Sequence, residues 1–188
     1  MKQTKIALAF TLIAGLAAAG SAIAETNGGT ITFTGAVSDA TCTVSGGSGT
    51  DGGSGNFSVS LDPVEATALA TAGATANEKA FDVVIGGPGQ GTCTDGKVAT
   101  MSFLTTDRLV DPTTGALMNA LSGEATMTQI QLKDAVGVVN LADLAYSVDP
   151  PDVVNNTAII PFSAQYLATG AATAGLVSTH VVYKVVYN

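Results

Sequence analysis

Val177–Tyr187 alternates without a break. Val177, Thr179, Val181, Tyr183, Val185 and Tyr187 share one parity, and Ser178, His180 and Lys184 are among those on the other. A strand this regular, running to the end of the chain, has to be held by neighbours on both sides, because free termini fray. The chain is thereby committed to a sheet architecture with this strand in its interior. Shorter runs of the same kind precede it. They are Phe57, Val59 and Leu61; Phe81–Ile85; Val98, Met101, Phe103 and Leu104; and Met127–Lys133, with Ile130 and Leu132 on one face. Ala158–Leu167 is a further apolar-rich run, which Pro161 demotes locally to an edge or a bulge. Turn pairs such as Asp95-Gly96 and Asp111-Pro112 separate these runs, and no long amphipathic helical repeat intervenes. The pattern predicts an all-β sandwich of seven or so short strands.

Two stretches read differently. Asp62-Pro63-Val64-Glu65 offers a helix start, with Asp62 as cap and Pro63 in the first turn, but the Ala/Thr-rich run behind it supports only one or two turns or plain loop. Ser45–Gly55 reads as a flexible glycine-rich loop without packing content.

The N-terminus marks the chain for export. Lys2 and Lys5 precede an apolar run from Ile6 to Ala19, and Ala22-Ile23-Ala24 is a small-residue cleavage signal, so residues 1–24 read as a signal peptide. The formal net charge of −8 becomes more acidic still once those two lysines are removed, which argues against a nucleic-acid partner. Two cysteines, Cys42 and Cys93, follow the leader. In an oxidising compartment they favour a disulfide over a metal pair, because two thiols with no nearby histidine make a poor zinc site.

Groups for catalysis are scarce. His180 is the only histidine and falls on the outward parity of the last strand, so no Ser/His/Asp constellation forms without it. Asp51, Asp95 and Asp107 sit in loops where a turn role outweighs calcium binding. The glycines from Gly86 to Gly91 precede Cys93 rather than a helix, which removes the phosphate-loop reading. The expectation is no enzyme, no cofactor, no metal and no small-molecule substrate.

Gly28–Val44, GGTITFTGAVSDATCTV, is the most informative stretch. Gly29, Ile31, Phe33, Gly35 and Val37 share one parity, and Thr30, Thr32 and Thr34 occupy the other. Together with the cysteine spacing, Asn156–Gly175 (NTAIIPFSAQYLATGAATAG), Gly175 fourteenth from the end and the closing Tyr183–Tyr187 (YKVVY), this stretch resembles the subunits of chaperone–usher pili, most closely the major shaft subunit of type 1 fimbriae.

That resemblance implies an incomplete immunoglobulin-like sandwich lacking its final strand, with an N-terminal donor-strand extension. Residues 25–37 would form the extension and residues 38–188 the pilin domain. A periplasmic chaperone would lend a strand during export. At an outer-membrane usher the extension of a neighbouring copy would replace it, building a cell-surface fimbria that supports adhesion. Gly29, Ile31, Phe33, Gly35 and Val37 would be the donor positions, with Gly29 meeting the need for close backbone approach. Gly175, Val181, Tyr183, Val185 and Tyr187 would form the groove wall and pair with the chaperone. Two alternatives remain: a minor fimbrial adaptor, and a self-complete secreted binding module in which Gly28–Val37 pairs inside its own sheet. The location of that strand separates the last of these from the others.

Overall fold

The computed structural model describes residues 29–35, 42–104, 109–148 and 152–187, the first of these by backbone pairing. Its strands are β1 Gly29–Gly35, β2 Val44–Gly46, β3 Asn56–Leu61, β4 Thr75–Gly86, β5 Ala99–Leu104, β6 Leu117–Met118, β7 Thr128–Lys133, β8 Ser147–Val148, β9 Thr157–Ala168 and β10 Val177–Tyr187. They form two five-stranded sheets, ordered β3-β1-β10-β5-β8 and β2-β4-β9-β7-β6. The apolar parity of each sheet faces the other: Phe57, Val181 and Tyr183 from the first and Ile85, Leu132 and Ile160 from the second are all 2% exposed or less. This is the sandwich that the alternating runs predict.

β10 has β1 on one side and β5 on the other. Its parity is as expected, with Val177, Thr179, Val181, Tyr183 and Val185 buried and Lys184 and Val186 exposed. Thr179 is the exception in chemistry. Its side chain is 1% exposed and its hydroxyl has no hydrogen-bond partner among the described residues. Tyr183, by contrast, donates its hydroxyl to the Gly55 carbonyl at 2.6 Å and packs against Phe57 with ring centroids 5.9 Å apart.

Pro161 lies in a strand that is central over its second half. β9 pairs with β4 along its length, but β7 joins it only from Ser163 onward. Pro161 faces Asp82, whose N–H donates to Ser48 O at 2.9 Å and whose carbonyl accepts from Gly47 N at 2.8 Å. The main chain of Asp82 is therefore turned away from β9. Pro161 occupies a position where the ladder needs no N–H, on the open side of the strand.

Three sequence expectations need correction. The helix is a 3-10 turn at Ala66–Leu69 with Glu65 at its cap position and no side-chain cap bond. Asp62 and Pro63 instead offer their carbonyls to Asn77 Nδ2, at 3.1 and 2.6 Å. β4 starts at Thr75 rather than Phe81, because pairing with β9 recruits a segment that lacks large apolar residues of its own; Asn77, at φ 52°, takes up the bulge between Ala76 and Lys79. Ser45–Gly55 is also built into the fold. Gly46 N donates to Gly53 O at 3.0 Å, Gly55 N donates to Val44 O at 2.7 Å, and Asp51 Oδ1 accepts from the N–H groups of Gly53 and Ser58. Gly49, at φ +77°, lies so close to Ala80 that a Cβ there would run into the Ala80 carbonyl oxygen. Gly46, Gly47, Gly49 and Gly53 serve close packing, while Gly52 and Gly55 supply a positive φ beside open space.

Two outcomes are expected in thermal melting. Thr179→Val keeps the shape and removes the orphaned hydroxyl, so it should stabilise the fold by about 1 kcal/mol. Burial, reinforced by nearby Tyr187, pushes the Tyr183 pKa up to about 12. Unfolded tyrosine ionises near 10, so the stability that protonated Tyr183 supplies is complete below about pH 10 and is lost as pH rises toward 12. Tyr183→Phe should lower stability at neutral pH by about 1 kcal/mol and make the alkaline fall shallower.

Candidate functional site: a strand-wide slot between β3 and β10

β3 and β10 do not touch as a ladder; β1 lies between them. Removing β1 would leave a slot two strand spacings wide, about 10 Å, with an unpaired backbone edge on each side. β1 fills it by two different ladders. It runs parallel to β10, from Gly29 beside Val177 to Gly35 beside Tyr183, and antiparallel to β3, from Gly29 beside Leu61 to Thr34 beside Asn56.

The register sorts the sequence-predicted positions. Ile31 sits between Thr179 and Val59, and Phe33 between Val181 and Phe57, all four neighbours being core-facing and buried. Thr32, on the other parity, sits between His180 and Ser58. Val37 lies outside the described residues. The wall positions are more scattered than the resemblance implies. Val181 and Tyr183 border β1, whereas Val185 pairs with Met101 of β5, beyond the last β1 pair. Gly175 precedes β10 altogether, at φ +155°, where a Cβ would strike the Ala125 amide nitrogen.

Tyr183 crosses the slot. It leaves β10 beside Gly35, and its hydroxyl ends on Gly55, at the start of the opposite wall. The ring therefore passes beneath β1 at the position of Gly35.

The two ends of the slot differ. At the Gly29 end a cavity of about 260 Å³ opens between the chain leaving β3 and the chain entering β10, with Val64, Leu69, Tyr166, Gly175 and Val177 among its lining. At the other end the root of the N-terminal segment is pinned. Cys42 is bonded to Cys93 with Cα atoms 4.5 Å apart, and its carbonyl accepts from Tyr187 Oη at 3.2 Å. In the chain-entropy account a loop of this length stabilises by about 4 kcal/mol. The adjacent Thr43 carbonyl accepts from Gly86 N at 2.7 Å. Residues 29–35 therefore hang from an anchor at the C-terminal end of β10.

The strand thus lies in its own chain's sheet, the placement that the self-complete reading requires. The opposite wall, Phe57, Val59 and Leu61, and the end cavity were not identifiable as site components from sequence. The alternation at 57–61 marks a strand but cannot name its neighbour. Asp95, a calcium candidate by sequence, accepts from Asn156 N at 2.7 Å in a turn, and no group of three or more His, Cys, Asp or Glu residues is arranged for a metal among the described residues. No described helix is long and apolar enough to cross a membrane.

Several known proteins resemble this sequence along most of its length. The family model described as Fimbrial protein matches residues 31–188. The F17 fimbrial protein of Escherichia coli is 36% identical over 176 residues, covering 92% of this chain and 94% of that one. The major fimbrial subunit SMF-1 of Stenotrophomonas maltophilia is 36% identical over 168 residues, covering 85% and 92%. A solved structure, of an antigen and type I fimbria protein from Burkholderia pseudomallei, is 25% identical with a TM-score of 0.45, covering 79% of this chain and 90% of that one. With a matched core that includes both slot walls, both cysteines and the pinned root, the chain belongs to the fimbrial protein family.

Proposed function

We propose that the chain is a structural subunit of a surface fimbria that polymerises by strand exchange. The segment 25–37 of one copy fills the slot of the next. A periplasmic chaperone holds the slot during export and an outer-membrane usher exchanges it for the neighbour's arm. The fibre so built supports cell adhesion. The observation that carries this reading is the slot itself: one strand wide, walled by two edges of the sandwich, and filled from a segment rooted outside it at Cys42.

The physical terms suit such a joint. Burying Ile31 and Phe33 contributes about 1.5–3 kcal/mol each, and the strand satisfies two backbone edges at once. A neighbour's arm entering antiparallel to β10, with Thr32 kept beside His180, would carry Val37 to Gly175 and the 260 Å³ cavity. That would give Val37 and Gly175 a common role. The self-complete secreted module is the second reading, and it is favoured by one observation, the pairing of β1 inside its own sheet.

The deciding experiment removes residues 25–37 and melts the remaining exported chain with and without a synthetic Glu25–Val37 peptide. The truncated chain should aggregate or melt low, and the peptide should raise its midpoint by about 10 °C or more. A truncated chain that folds as a stable monomer, indifferent to the peptide, sinks the proposal. In the full exported chain Phe33→Asp should abolish polymer formation, scored by electron microscopy and by resistance to dissociation in detergent.

A further inference from the structure

We propose that the cavity bounded by Val64, Leu69, Tyr166 and Val177 is a binding site for a small primary amine, a cation of about ten non-hydrogen atoms with a compact apolar body. The site is complete within one chain. It needs no neighbour and no exchanged strand, so it is independent of the polymer reading above.

Tyr166 is the residue that points to a ligand. It lies in the core-facing row of β9, between Ile130 of β7 and Ala76 of β4, and is 3% exposed. Its side of the core opens on the cavity, yet its hydroxyl has no hydrogen-bond partner among the described residues. The other three tyrosines all donate: Tyr146 to Asp134, Tyr183 to the Gly55 carbonyl and Tyr187 to the Cys42 carbonyl. A buried phenol without a partner costs free energy, and a bound molecule that reaches it recovers that cost. The neighbouring polar groups are already engaged within the chain. Thr128 Oγ1 donates to the Thr126 carbonyl at 3.2 Å, and Thr173 Oγ1 accepts from Thr126 N at 2.9 Å.

Size and wall chemistry set the body of the ligand. An apolar cavity of about 150 Å³ takes a benzene ring. At about 260 Å³ this one has room for a ring and a short chain, against walls that include Val64, Leu69 and Val177.

Charge sets its polar end. Glu65 lines the cavity and enters no ion pair among the described residues. Asp62 lies near enough to act on the phenol: burial first, and then the Asp62 charge, push the Tyr166 pKa up and keep the hydroxyl protonated. A carboxylate entering here would meet repulsion from both acidic groups. An ammonium meets attraction instead, and it brings three N–H donors to a phenol oxygen and a carboxylate that have none. The net charge of −8 adds the same bias at longer range.

The probe is phenethylamine, with phenethyl alcohol as its neutral counterpart and phenylacetate as its anionic one. Titrated into the full exported chain by calorimetry, phenethylamine should bind one site with a Kd of about 1 mM or below, and it should raise the melting midpoint. The alcohol should bind about fivefold more weakly and phenylacetate about tenfold more weakly. Tyr166→Phe keeps the ring, removes the hydroxyl and should weaken phenethylamine about fivefold. Glu65→Gln, at an exposed position, should weaken it about threefold and narrow the gap between amine and alcohol. Equal binding of the three probes, no saturable binding of phenethylamine, or an amine preference that survives Glu65→Gln unchanged would each overturn the proposal. None of these outcomes touches strand exchange, which the chain lacking residues 25–37 tests separately.

Discussion

The missing rung between β3 and β10 is the constraint on which the rest of the structure depends. Both walls present backbone N–H and C=O groups to the gap, and beneath it lie Val59, Val181 and Tyr183, all fully buried with β1 in place. Neither the hydrogen bonds nor the apolar floor can be satisfied by the remaining strands, because β10 is already occupied by β5 on its other side. Something of strand width has to enter. The sandwich sets the width of that place and the cavity at its end.

The chain leading to β1 is pinned to the scaffold at Cys42. The Cys42–Cys93 bridge lies between the two sheets' ends, where Cys42 is also held by Tyr187 and Asn156 Nδ2 donates to the Cys93 carbonyl at 2.7 Å. Gly86 leaves room for it, since a Cβ there would press on the Cys93 sulfur at 2.6 Å. The bridge ties the body of the sandwich together on its own, through residues outside β1.

The segments around the slot are packed more closely than their composition suggests. The glycine-rich stretch after β2 lies against β4 through Gly47 and Gly49, and its Asp51 carboxylate, held below the usual range by the Ser58 and Gly53 N–H groups, closes the turn. Phe103 stacks on Tyr146, whose hydroxyl donates to Asp134 at 2.9 Å, and this bolsters the far flank of β5. These contacts brace β4 and β5, the strands next to the elements that border β1.

Local pattern reaches a good distance into this protein. The period-two runs, the breakers between them and the parity of β10 are properties of neighbouring residues, so strand identity and buried face are legible in the sequence itself. Tertiary structure decided what local pattern cannot encode. The alternation of Phe57, Val59 and Leu61 is silent about which strand lies beside it, because ladder partners are chosen across the chain by hydrogen-bond geometry and not by periodicity. Thr75–Ala80 became strand only because β9 was there to pair with it, and the glycines after Val44 became packing elements only because Ala80 and Asp82 lie against them. The direction of β1 is the clearest case: its alternation is silent about it, and the chain runs to Cys42 at the end of β10, so β1 lies parallel to that strand.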